Sequence, residues 1–429
     1  MLFKDITIID ENFEVKQHMY VGVKDKTIAY VGDSMPAEDF GEVYEGKNRL
    51  LSPAFYNAHS HLPMFLLRGY GENLPLAEWL NNRIFPFEGH LTGKDQYYGA
   101  LMGAAEMLRF GIAGTTEMYL DQNDDAQALV DSGVKANISQ CVMCFDDRSY
   151  YELPIYKETL AAIEKFNGKE DGRVKVEFSL HAEYTSNEKI ARAVADAAKA
   201  AGSSMHVHVS ETANEVKECK ERHGGKSPVK YLADCGLFDV PTVAAHCVHV
   251  DDEDIAILKE FNVTAASNPK SNAKLASGIC PVQKLLDAGV NVAIGTDSVA
   301  SNNNLNMIEE MRFFNLLQKA VNYDPTLITP KQTLYAATRA GALAQGRKDC
   351  GLVKEGFRAD LAVFDTDKVY MKPEYNVLNN LIYSASGNDV VMTMVDGKVL
   401  YKDGLYTTLD IEKIYAECES SRKRILSEL

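Results

Sequence analysis

The sequence predicts an α/β protein: a (β/α)8 TIM-type barrel with a small β-sandwich domain formed by its N- and C-terminal segments. Three observations lead to this fold. Short strands punctuated by Gly, Asp and Asn occupy both ends of the chain, and strands alternate with amphipathic helices between them. Polar side chains gather at the ends of those alternating strands. The 429 residues suffice for one large domain with an appendage.

Both ends of the chain show the same pattern of short predicted strands. Residues 1–52 contain short strands such as LFKDITIID and QHMYVGVKD, and residues 348–406 contain RADLAVFDTD and DVVMTMVDGKVLYKDG. Because a short β-meander is rarely stable alone, the two segments are expected to pair into one domain. Residues 407–429 are predicted to form a terminal amphipathic helix.

The alternating region, residues 53–347, is predicted to form the barrel. Residues 92–110 and 186–202 are two of the amphipathic helices that separate its strands. Eight strands over this length suit a barrel, which takes about 250 residues before insertions. A doubly wound sheet is the alternative, but no GxGxxG follows the first strand. The predicted strands are SPAFYNAH, GIAGTTEMY, KANISQCVMCF, RVKVEFSLHAEY, SSMHVHVS, PTVAAHC, VTAASNP and NVAIGTD.

Composition narrows the class of function. The net charge of −16 argues against a nucleic-acid-binding surface but not against a nucleoside-sized ligand. No apolar run approaches the ~20 residues of a membrane span, and the charged start MLFKDITIIDENFEVKQ is unlike a signal peptide. The eight cysteines are scattered, with one lone CxxC at Cys141 and Cys144, which predicts reduced core thiols in a cytoplasmic protein.

The most informative motif is the HxH of His59 and His61 in LLSPAFYNAHSHLP. Residues two apart on a strand share a face, so both imidazoles point the same way where the apolar run ends. That arrangement suits two nitrogen ligands on one metal ion.

Further polar residues fall at the predicted ends of later strands, where catalytic residues of such barrels lie. A lone strand histidine is often a core residue, and an Asp after Gly-Thr is often a helix N-cap. Six such residues at strand ends together favour a site. They are His59 and His61 on the first strand, His181 on the fourth, His208 on the fifth, His246 on the sixth and Asp297 on the eighth.

Three imidazoles and one carboxylate suit a single divalent metal ion per subunit, Zn²⁺ first, with Fe²⁺, Mn²⁺ or Co²⁺ as alternatives. We assign His59, His61, His208 and Asp297 as its ligands. His206 is a rival, because SSMHVHVSE contains a second HxH. It shares the face of His208 but is expected one pleat deeper in the barrel.

A metal ion lowers the pKa of bound water from 15.7 to roughly 7, so these ligands predict a hydrolysis. Such a reaction also needs groups that transfer protons. Glu211, just past His208, is predicted to carry a proton from water to the substrate, although a first-turn helix acid is its ordinary alternative. His246 is predicted to orient the attacking oxygen. Asp297 is predicted to combine metal ligation with proton acceptance.

With these residues placed, the chain resembles the amidohydrolase superfamily almost end to end, and within it the 5-methylthioadenosine/S-adenosylhomocysteine deaminases. HxH, HxSE, the late His and the late Asp are typical of the superfamily, and LRGY…LPLAEWL…PFE points to the deaminase group. The resemblance implies a mononuclear zinc or iron centre and hydrolytic deamination of an adenine nucleoside. It carries the same four ligands over and makes Glu211 and His246 proton-handling residues.

The resemblance also implies substrate contacts. Glu88 would bind the ribose hydroxyls, Trp79 would pack on the nucleoside and His181 would contact the purine ring. Helix packing, a solvated acid and a core histidine are their ordinary alternatives. Members that bind a homocysteine carboxylate tend to carry an Arg on the third strand. The nearest here is Arg148, which is therefore a candidate substrate contact. A carboxylate tail is therefore expected to be poorly recognised, which favours adenosine or smaller 5′-substituted adenosines.

Departures from the family pattern leave the metal set untouched. HAEY places Glu183 near the expected substrate mouth, GTDS adds Ser298, and PAFYNAH brings Phe55 and Tyr56 into the first strand.

Other functions stay open at this point. One is an aminohydrolase or chlorohydrolase of another heterocycle, such as guanine, a pterin or a triazine. The joint presence of Trp79, Glu88 and His181 favours the nucleoside. A scaffold without activity is disfavoured by the complete ligand set. The expected partner is a small-molecule substrate, with no nucleic acid or membrane, and homo-oligomer formation is left open. Residues 72–92 are long enough to be a lid or a subunit contact.

Overall fold

The computed structural model describes residues 1–429, the side chain of Gln122 excepted, and its strands form two sheets. The strands β1 to β17 are Leu2–Ile9, Val15–Lys24, Thr27–Gly32, Val43–Glu45, Arg49–Pro53, Phe55–Ser60, Ile112–Tyr119, Lys135–Val142, Val174–Leu180, Met205–Val209, Thr242–His246, Thr264–Ser267, Asn291–Ile294, Leu361–Asp365, Val390–Val395, Lys398–Lys402 and Leu405–Tyr406.

Helices cover most of the connections. The helices α1 to α18 are Leu76–Trp79, Phe85–Glu88, Gly93–Arg109, Gln122–Ser132, Pro154–Phe166, Lys169–Gly172, Glu188–Ala201, Ala213–Arg222, Pro228–Asp234, Asp252–Glu260, Pro269–Lys274, Val282–Asp287, Val299–Asn302, Met307–Asn322, Pro330–Ala337, Arg339–Ala344, Val377–Tyr383 and Ile411–Glu428. A π-helical turn, Leu80–Ile84, joins α1 to α2. The 3₁₀ helices are Leu62–Leu67, Tyr150–Glu152, Glu183–Thr185, Leu237–Asp239, Val369–Met371 and Gly387–Asp389.

The barrel is built from β6 to β13, which lie in chain order in one parallel eight-stranded sheet. Its seam is closed by the segment after β13: the Asp297 amide donates to the His59 carbonyl at 3.0 Å, and Asn57 Nδ2 donates to Thr296 Oγ1 at 2.7 Å. Sequential strand order confirms the predicted barrel and excludes a doubly wound sheet. The two helices singled out in the sequence are α3 and α7, whose N-caps are Thr92 and Asn187.

The second sheet joins the two ends of the chain. Its strand order is β17-β16-β15-β14-β5-β1-β2-β3, with β4 beside β1. The antiparallel pair of β5 and β14, in which Pro53 lies opposite Leu361, connects the N-terminal strands to the C-terminal ones. Side chains from both halves, including Ile28 of β3 and Met392 of β15, form one hydrophobic cluster. The strands of the predicted sandwich therefore form a single hydrogen-bonded sheet with a hydrophobic cluster shared by both ends of the chain.

A buried ion network fastens this sheet to the barrel. Nζ of Lys135, at the start of β8, lies 2.6 Å from Oδ1 of Asp360 and 2.5 Å from Oδ1 of Asp396. The Tyr56 hydroxyl of β6 donates to the other oxygen of Asp360. Tyr56 of β6 and Lys135 of β8 thus form one buried cluster with Asp360, next to β14, and Asp396, next to β15.

The predicted terminal helix is α18, which packs on α3 through an ion pair of 2.5 Å between Arg424 and Asp95. All eight cysteines are free. Among the described residues, none of the helices combines the length and apolar character needed to span a membrane.

Candidate active site

The carboxyl ends of the barrel strands open into an inner pocket whose space, with the open solvent at its mouth included, is about 690 Å³. Every predicted site residue except two lines it: His59 lies beneath its floor and Arg148 lies elsewhere. The predicted residues on its wall are His61, Trp79, Glu88, His181, His208, Glu211, His246 and Asp297.

Four side chains of ligand type converge at the floor of the inner pocket. Nε2 of His59 and Nε2 of His61 lie 3.5 and 3.4 Å from Oδ1 of Asp297. Nε2 of His208 lies 3.3 Å from Nε2 of His61. Nε2 of His59 is fully buried without a hydrogen-bond partner, which is costly unless another group satisfies it. Ligand atoms of His59, His61 and His208 all lie within 4.8 Å of one another, and so do those of His59, His246 and Asp297. This donor set and the unpartnered nitrogen fit one divalent metal ion.

In two of these histidines, the ring nitrogen that points away from the pocket forms a hydrogen bond with a backbone carbonyl. Nδ1 of His61 donates to the Met118 carbonyl at 2.6 Å, and Nδ1 of His208 donates to the His181 carbonyl at 2.6 Å. Each bond fixes the ring orientation and the tautomer that leaves Nε2 facing the floor of the pocket.

His206, the rival of His208, lies behind His59 instead of beside it. Its Nε2 lies 2.8 Å from Nδ1 of His59, one layer deeper in the barrel. The adjoining backbone is equally tight, because a Cβ added to Gly295 would lie 2.9 Å from Cβ of His59. His206 therefore contacts the ring of His59 from the interior of the barrel and holds its orientation.

Electrostatics put these groups in their metal-binding protonation states. Burial lowers the pKa of His59 to about 3 and also lowers the pKa of His61 and His208, so the three imidazoles are neutral at pH 7. Burial by itself would raise the pKa of Asp297, but His59 and His61 hold that pKa well below its usual range. Ser271 Oγ also donates to Oδ2 of Asp297 at 2.5 Å. Neutral imidazoles and an ionised carboxylate are the forms that bind divalent metals.

Glu211 and His246 face the same space. Oε1 of Glu211 accepts from Ser277 Oγ at 3.2 Å, and its Oε2 lies 3.8 Å from Nε2 of His246. Burial raises the pKa of Glu211, which suits a group that both accepts and donates a proton near neutral pH. Burial lowers the pKa of His246, but the carboxylates of Glu211 and Asp297 outweigh it and raise that pKa. Nδ1 of His246 is fixed by Asn272 Oδ1 at 2.8 Å.

Backbone strain marks the same strand ends. Ser210 after β10, His246 at the end of β11 and Asp297 after β13 have φ values of 50°, 74° and 59°. A non-glycine residue held in this left-handed region costs on the order of 1–3 kcal/mol and is typically found where function requires it. The strain lies where the ligand-type and proton-handling side chains leave their strands.

The outer wall of the inner pocket comes from residues 72–92, the segment predicted to be a lid or a subunit contact. Trp79 of α1 is almost fully buried, and Glu88 of α2 accepts from the Tyr119 hydroxyl at 2.8 Å. Burial raises the pKa of Glu88 to about 7. Opposite them, the His181 ring lies 4.8 Å from the His208 ring. The three predicted substrate contacts therefore surround the space above the ligand-type side chains.

The structure does not bring Arg148 to this site. Its Nε lies 2.9 Å from both carboxylate oxygens of Asp146, and its side chain is 61% exposed. The reason is the length of β8, which ends at Val142 and not at Phe145 as predicted. The chain then leaves the barrel mouth, so the predicted contact between Arg148 and substrate has no support in the geometry.

The departures from the family pattern lie in different places. Glu183, expected at the mouth, is buried away from it in ion pairs with Arg222 at 2.7 Å and His223 at 2.6 Å. Ser298 lines the inner pocket, and its amide donates to Asp297 Oδ1 at 2.7 Å. Phe55 and Tyr56 are fully buried on β6.

Several residues that line the pocket or support its side chains were not predicted from the sequence. Tyr119 lines the inner pocket at the end of β7. Glu117 on the same strand accepts from the amide of Leu62 at 2.7 Å and so holds the turn after the HxH. Asn268 Nδ2 lies 3.2 Å from Nδ1 of His246, beside Asn272. Their sequence signal was the same as that of the histidines: a polar side chain at the end of a predicted strand.

The contact behind His59 gives a testable prediction. His206→Ala is expected to weaken zinc binding roughly 10- to 100-fold, because outer hydrogen-bond partners orient a ligand and support its basicity. Competition with a chromophoric chelator measures this affinity. His18→Ala removes an 81% exposed histidine and is the matched control. Equal affinities in the two variants would show that His206 does not support the ligand set.

Comparison with known proteins adds the family context. Residues 50–400 match the sequence model of the Amidohydrolase family. A 5-methylthioadenosine/S-adenosylhomocysteine deaminase of Caldanaerobacter subterraneus subsp. tengcongensis is 39% identical over 428 residues, which cover 99% of this chain and 98% of that one.

Solved structures agree with the fold. An adenosine deaminase from Xanthomonas campestris with bound zinc is 31% identical and superposes with a TM-score of 0.93, covering 99% of this chain and 98% of that one. An atrazine chlorohydrolase from Arthrobacter aurescens TC1 in complex with zinc is 20% identical with a TM-score of 0.90, covering 98% of this chain and 99% of the other. The second similarity supports the fold alone.

Proposed function

The chain belongs to the amidohydrolase family, and from that premise we propose that it deaminates an adenine nucleoside in a metal-dependent hydrolysis. The substrate is adenosine or a 5′-substituted adenosine, and the products are the inosine analogue and ammonia. One observation carries the proposal: four ligand-type groups, Glu211 and His246 meet at the floor of a pocket walled by Trp79, Glu88 and His181. The names of the deaminase relatives support the same substrate class.

One divalent ion per subunit would be held by His59, His61, His208 and Asp297. Zinc is the first choice because three imidazoles and a carboxylate suit it. When bound, such an ion supplies Lewis acidity and lowers the pKa of water towards about 7. The chain itself must then position the base and move the protons.

Glu211 is the proton carrier in this proposal. Its carboxylate accepts a proton from the water whose oxygen attacks the amino-bearing carbon, and it delivers that proton to the adjacent ring nitrogen. His246, 3.8 Å from Glu211, lies beside the attacking oxygen and stabilises the charge that develops there. The carbon–nitrogen bond then breaks, and the remaining proton of the water leaves on ammonia, with Asp297 as its acceptor on the way.

The wall of the inner pocket positions the nucleoside. The aromatic face of Trp79 covers the base, and His181 offers a ring nitrogen to the purine edge. The Glu88 carboxylate accepts from the vicinal hydroxyls of the ribose, which compete for it with Tyr119. Holding the base and the sugar together places the amino-bearing carbon over Glu211.

Ammonia release tests the proposal directly. Zinc-replete protein is assayed with adenosine, 5′-methylthioadenosine, guanine, a pterin and a triazine, and the same protein is assayed after chelation and after zinc is restored. Turnover of the adenosines that is lost on chelation and regained with zinc is the expected result. Turnover of guanine, the pterin or the triazine alone would overturn the nucleoside assignment, and full activity in chelated protein would overturn the metal dependence.

The raised pKa of Glu88 predicts a pH effect on nucleoside binding. Because its pKa is about 7, this carboxyl group becomes protonated as the pH falls through 7 and loses its ability to accept from both ribose hydroxyls. kcat/KM for adenosine relative to 2′,3′-dideoxyadenosine, which lacks the diol, is expected to fall with decreasing pH and level off above about 7. The Glu88→Gln variant should show a flat ratio. A pH-dependent ratio in that variant would assign the effect to another group.

A further inference from the structure

A second cavity opens outward from the inner pocket, and we call it the vestibule. The space inside it, with open solvent included, is about 2050 Å³, and the same measure for the inner pocket is about 690 Å³. A ligand that fills the inner pocket therefore has one continuous route for any further substituent. The residues that line both cavities are Leu76, Trp79, Leu80, Phe85, His181, Tyr184 and Leu275.

We propose that the vestibule is a specificity site for the 5′-substituent, and that it selects apolar, uncharged substituents over ones that end in a carboxylate. This inference rests on the proposed function. If the amino-bearing carbon lies over Glu211 and the ribose lies at Glu88, the 5′-carbon is at the outward end of the nucleoside. A substituent on it then enters the vestibule.

The walls of the vestibule favour apolar contact. Phe145 is 79% exposed and Phe85 is 38% exposed, and both line this cavity. Leu74 and Leu275 add aliphatic surface. An apolar substituent that covers these side chains removes their surface and its own from water, which is favourable in proportion to the area buried.

The only cation that lines the vestibule is Lys274, among the residues the structure describes. Its ammonium group is already saturated: Nζ lies 2.8 Å from Oε2 of Glu72 and 3.2 Å from the Ala300 carbonyl, and it also donates to Oδ1 of Asn303. An ammonium has three donors, so none remains for a carboxylate of the substrate.

The acidic residues of the vestibule add to this bias. Glu218 accepts from Asn214 at 2.8 Å, and Glu215 is occupied by backbone amides, including that of Glu211 at 2.7 Å. Glu218 is also paired with Arg222 at 3.3 Å, and burial raises the pKa of Glu215 to about 7, so neither offers a free carboxylate to the ammonium group of an amino-acid tail. A zwitterionic amino-acid tail there loses the hydration of its carboxylate and its ammonium without gaining a partner for either, which disfavours its binding.

Two substrates of matched length test the inference. The tail of S-adenosylhomocysteine and the butylthio group of 5′-butylthio-5′-deoxyadenosine each place four carbons after the sulfur, and only the first carries charge. kcat/KM for the butylthio nucleoside is expected to exceed that for S-adenosylhomocysteine at least about tenfold. Equilibrium binding of both to the Glu211→Gln variant, measured by calorimetry, should show the same order.

Variants identify the residues responsible. Phe145→Ala is expected to lower the kcat/KM ratio of the butylthio nucleoside to adenosine by roughly three- to tenfold. Tyr151→Ala removes a 46% exposed aromatic that lies outside the vestibule and is the matched control. Asn81→Arg places a free guanidinium in the vestibule wall. It should raise kcat/KM for S-adenosylhomocysteine relative to kcat/KM for the butylthio nucleoside by roughly tenfold.

The outcomes separate the two proposals. Turnover of adenosine, with S-adenosylhomocysteine equal to or better than the butylthio nucleoside, would overturn the inference and leave the proposed function standing. A selective loss of S-adenosylhomocysteine turnover in Arg148→Ala would also overturn it, because Arg148 would then serve as the missing cation. Failure of every adenosine as a substrate would overturn both.

Discussion

Glu211→Gln is expected to lower kcat for adenosine by roughly 10³- to 10⁴-fold. A proton carrier contributes up to about that factor, and glutamine can neither accept the proton of the attacking water nor return it to the ring nitrogen. The amide preserves the size of the side chain and its hydrogen bond with Ser277. The loss should therefore appear in kcat, with the bound zinc and the melting temperature unchanged.

The control for this prediction lies ten residues further along the chain. Glu221→Gln makes the same chemical change at an exposed position of α8, where the carboxylate lies 4.0 Å from Lys217. Its kcat should stay within about twofold of the unmodified protein. A Glu211→Gln enzyme that keeps more than a tenth of the original kcat would show that another group carries the proton.

Lys135→Ala is expected to lower the free energy of unfolding by about 3–5 kcal/mol. The substitution removes the cation between Asp360 and Asp396, both of which are buried, and leaves Asp360 without a cation and Asp396 with only the more distant Arg358, 3.7 Å away. Removal of one partner from a buried ion pair has this cost even where the intact pair contributes little. Urea unfolding followed by circular dichroism measures the change.

An exposed lysine gives the comparison. Lys26→Ala breaks an ion pair of 3.0 Å with Asp171 whose side chains are 42% and 57% exposed. Solvent screens such a pair, so its loss should cost less than about 1 kcal/mol. If Lys135→Ala were no more destabilising than Lys26→Ala, the network would not be what holds the terminal sheet to the barrel.

The barrel and the ligand-type cluster follow from patterns that are local in sequence. His59 and His61 lie two apart on a strand, so their common face was predictable without any knowledge of the rest of the fold. His208 and Asp297 could be added because the carboxyl ends of parallel strands meet at one rim of a barrel. In the structure these four side chains lie close together, and their role as metal ligands stays a prediction.

Two residues lie in other places than predicted. Their positions are set by the exact end of a strand or by contacts with residues distant in sequence. Arg148 was expected near substrate because β8 was extended past Val142, an error of three residues that turns the following loop away from the site. Glu183 was expected at the mouth, but its position is set by Arg222 and His223, which are distant in sequence. Lys135 gave no signal, because a lysine at the start of a strand is ordinarily exposed.

The pairing of β5 with β14 has a consequence for synthesis of the chain. β5 must wait for a partner about 310 residues downstream, since Pro53 lies opposite Leu361. At ribosomal rates of about 5–20 residues per second, that delay is roughly 15–60 s. Throughout it, the N-terminal strands have an unpaired edge, and side chains such as Leu51 and Ile8 lack the C-terminal half of their core. Until β14 emerges, this edge is therefore expected to be a site where the nascent chain can pair with other chains.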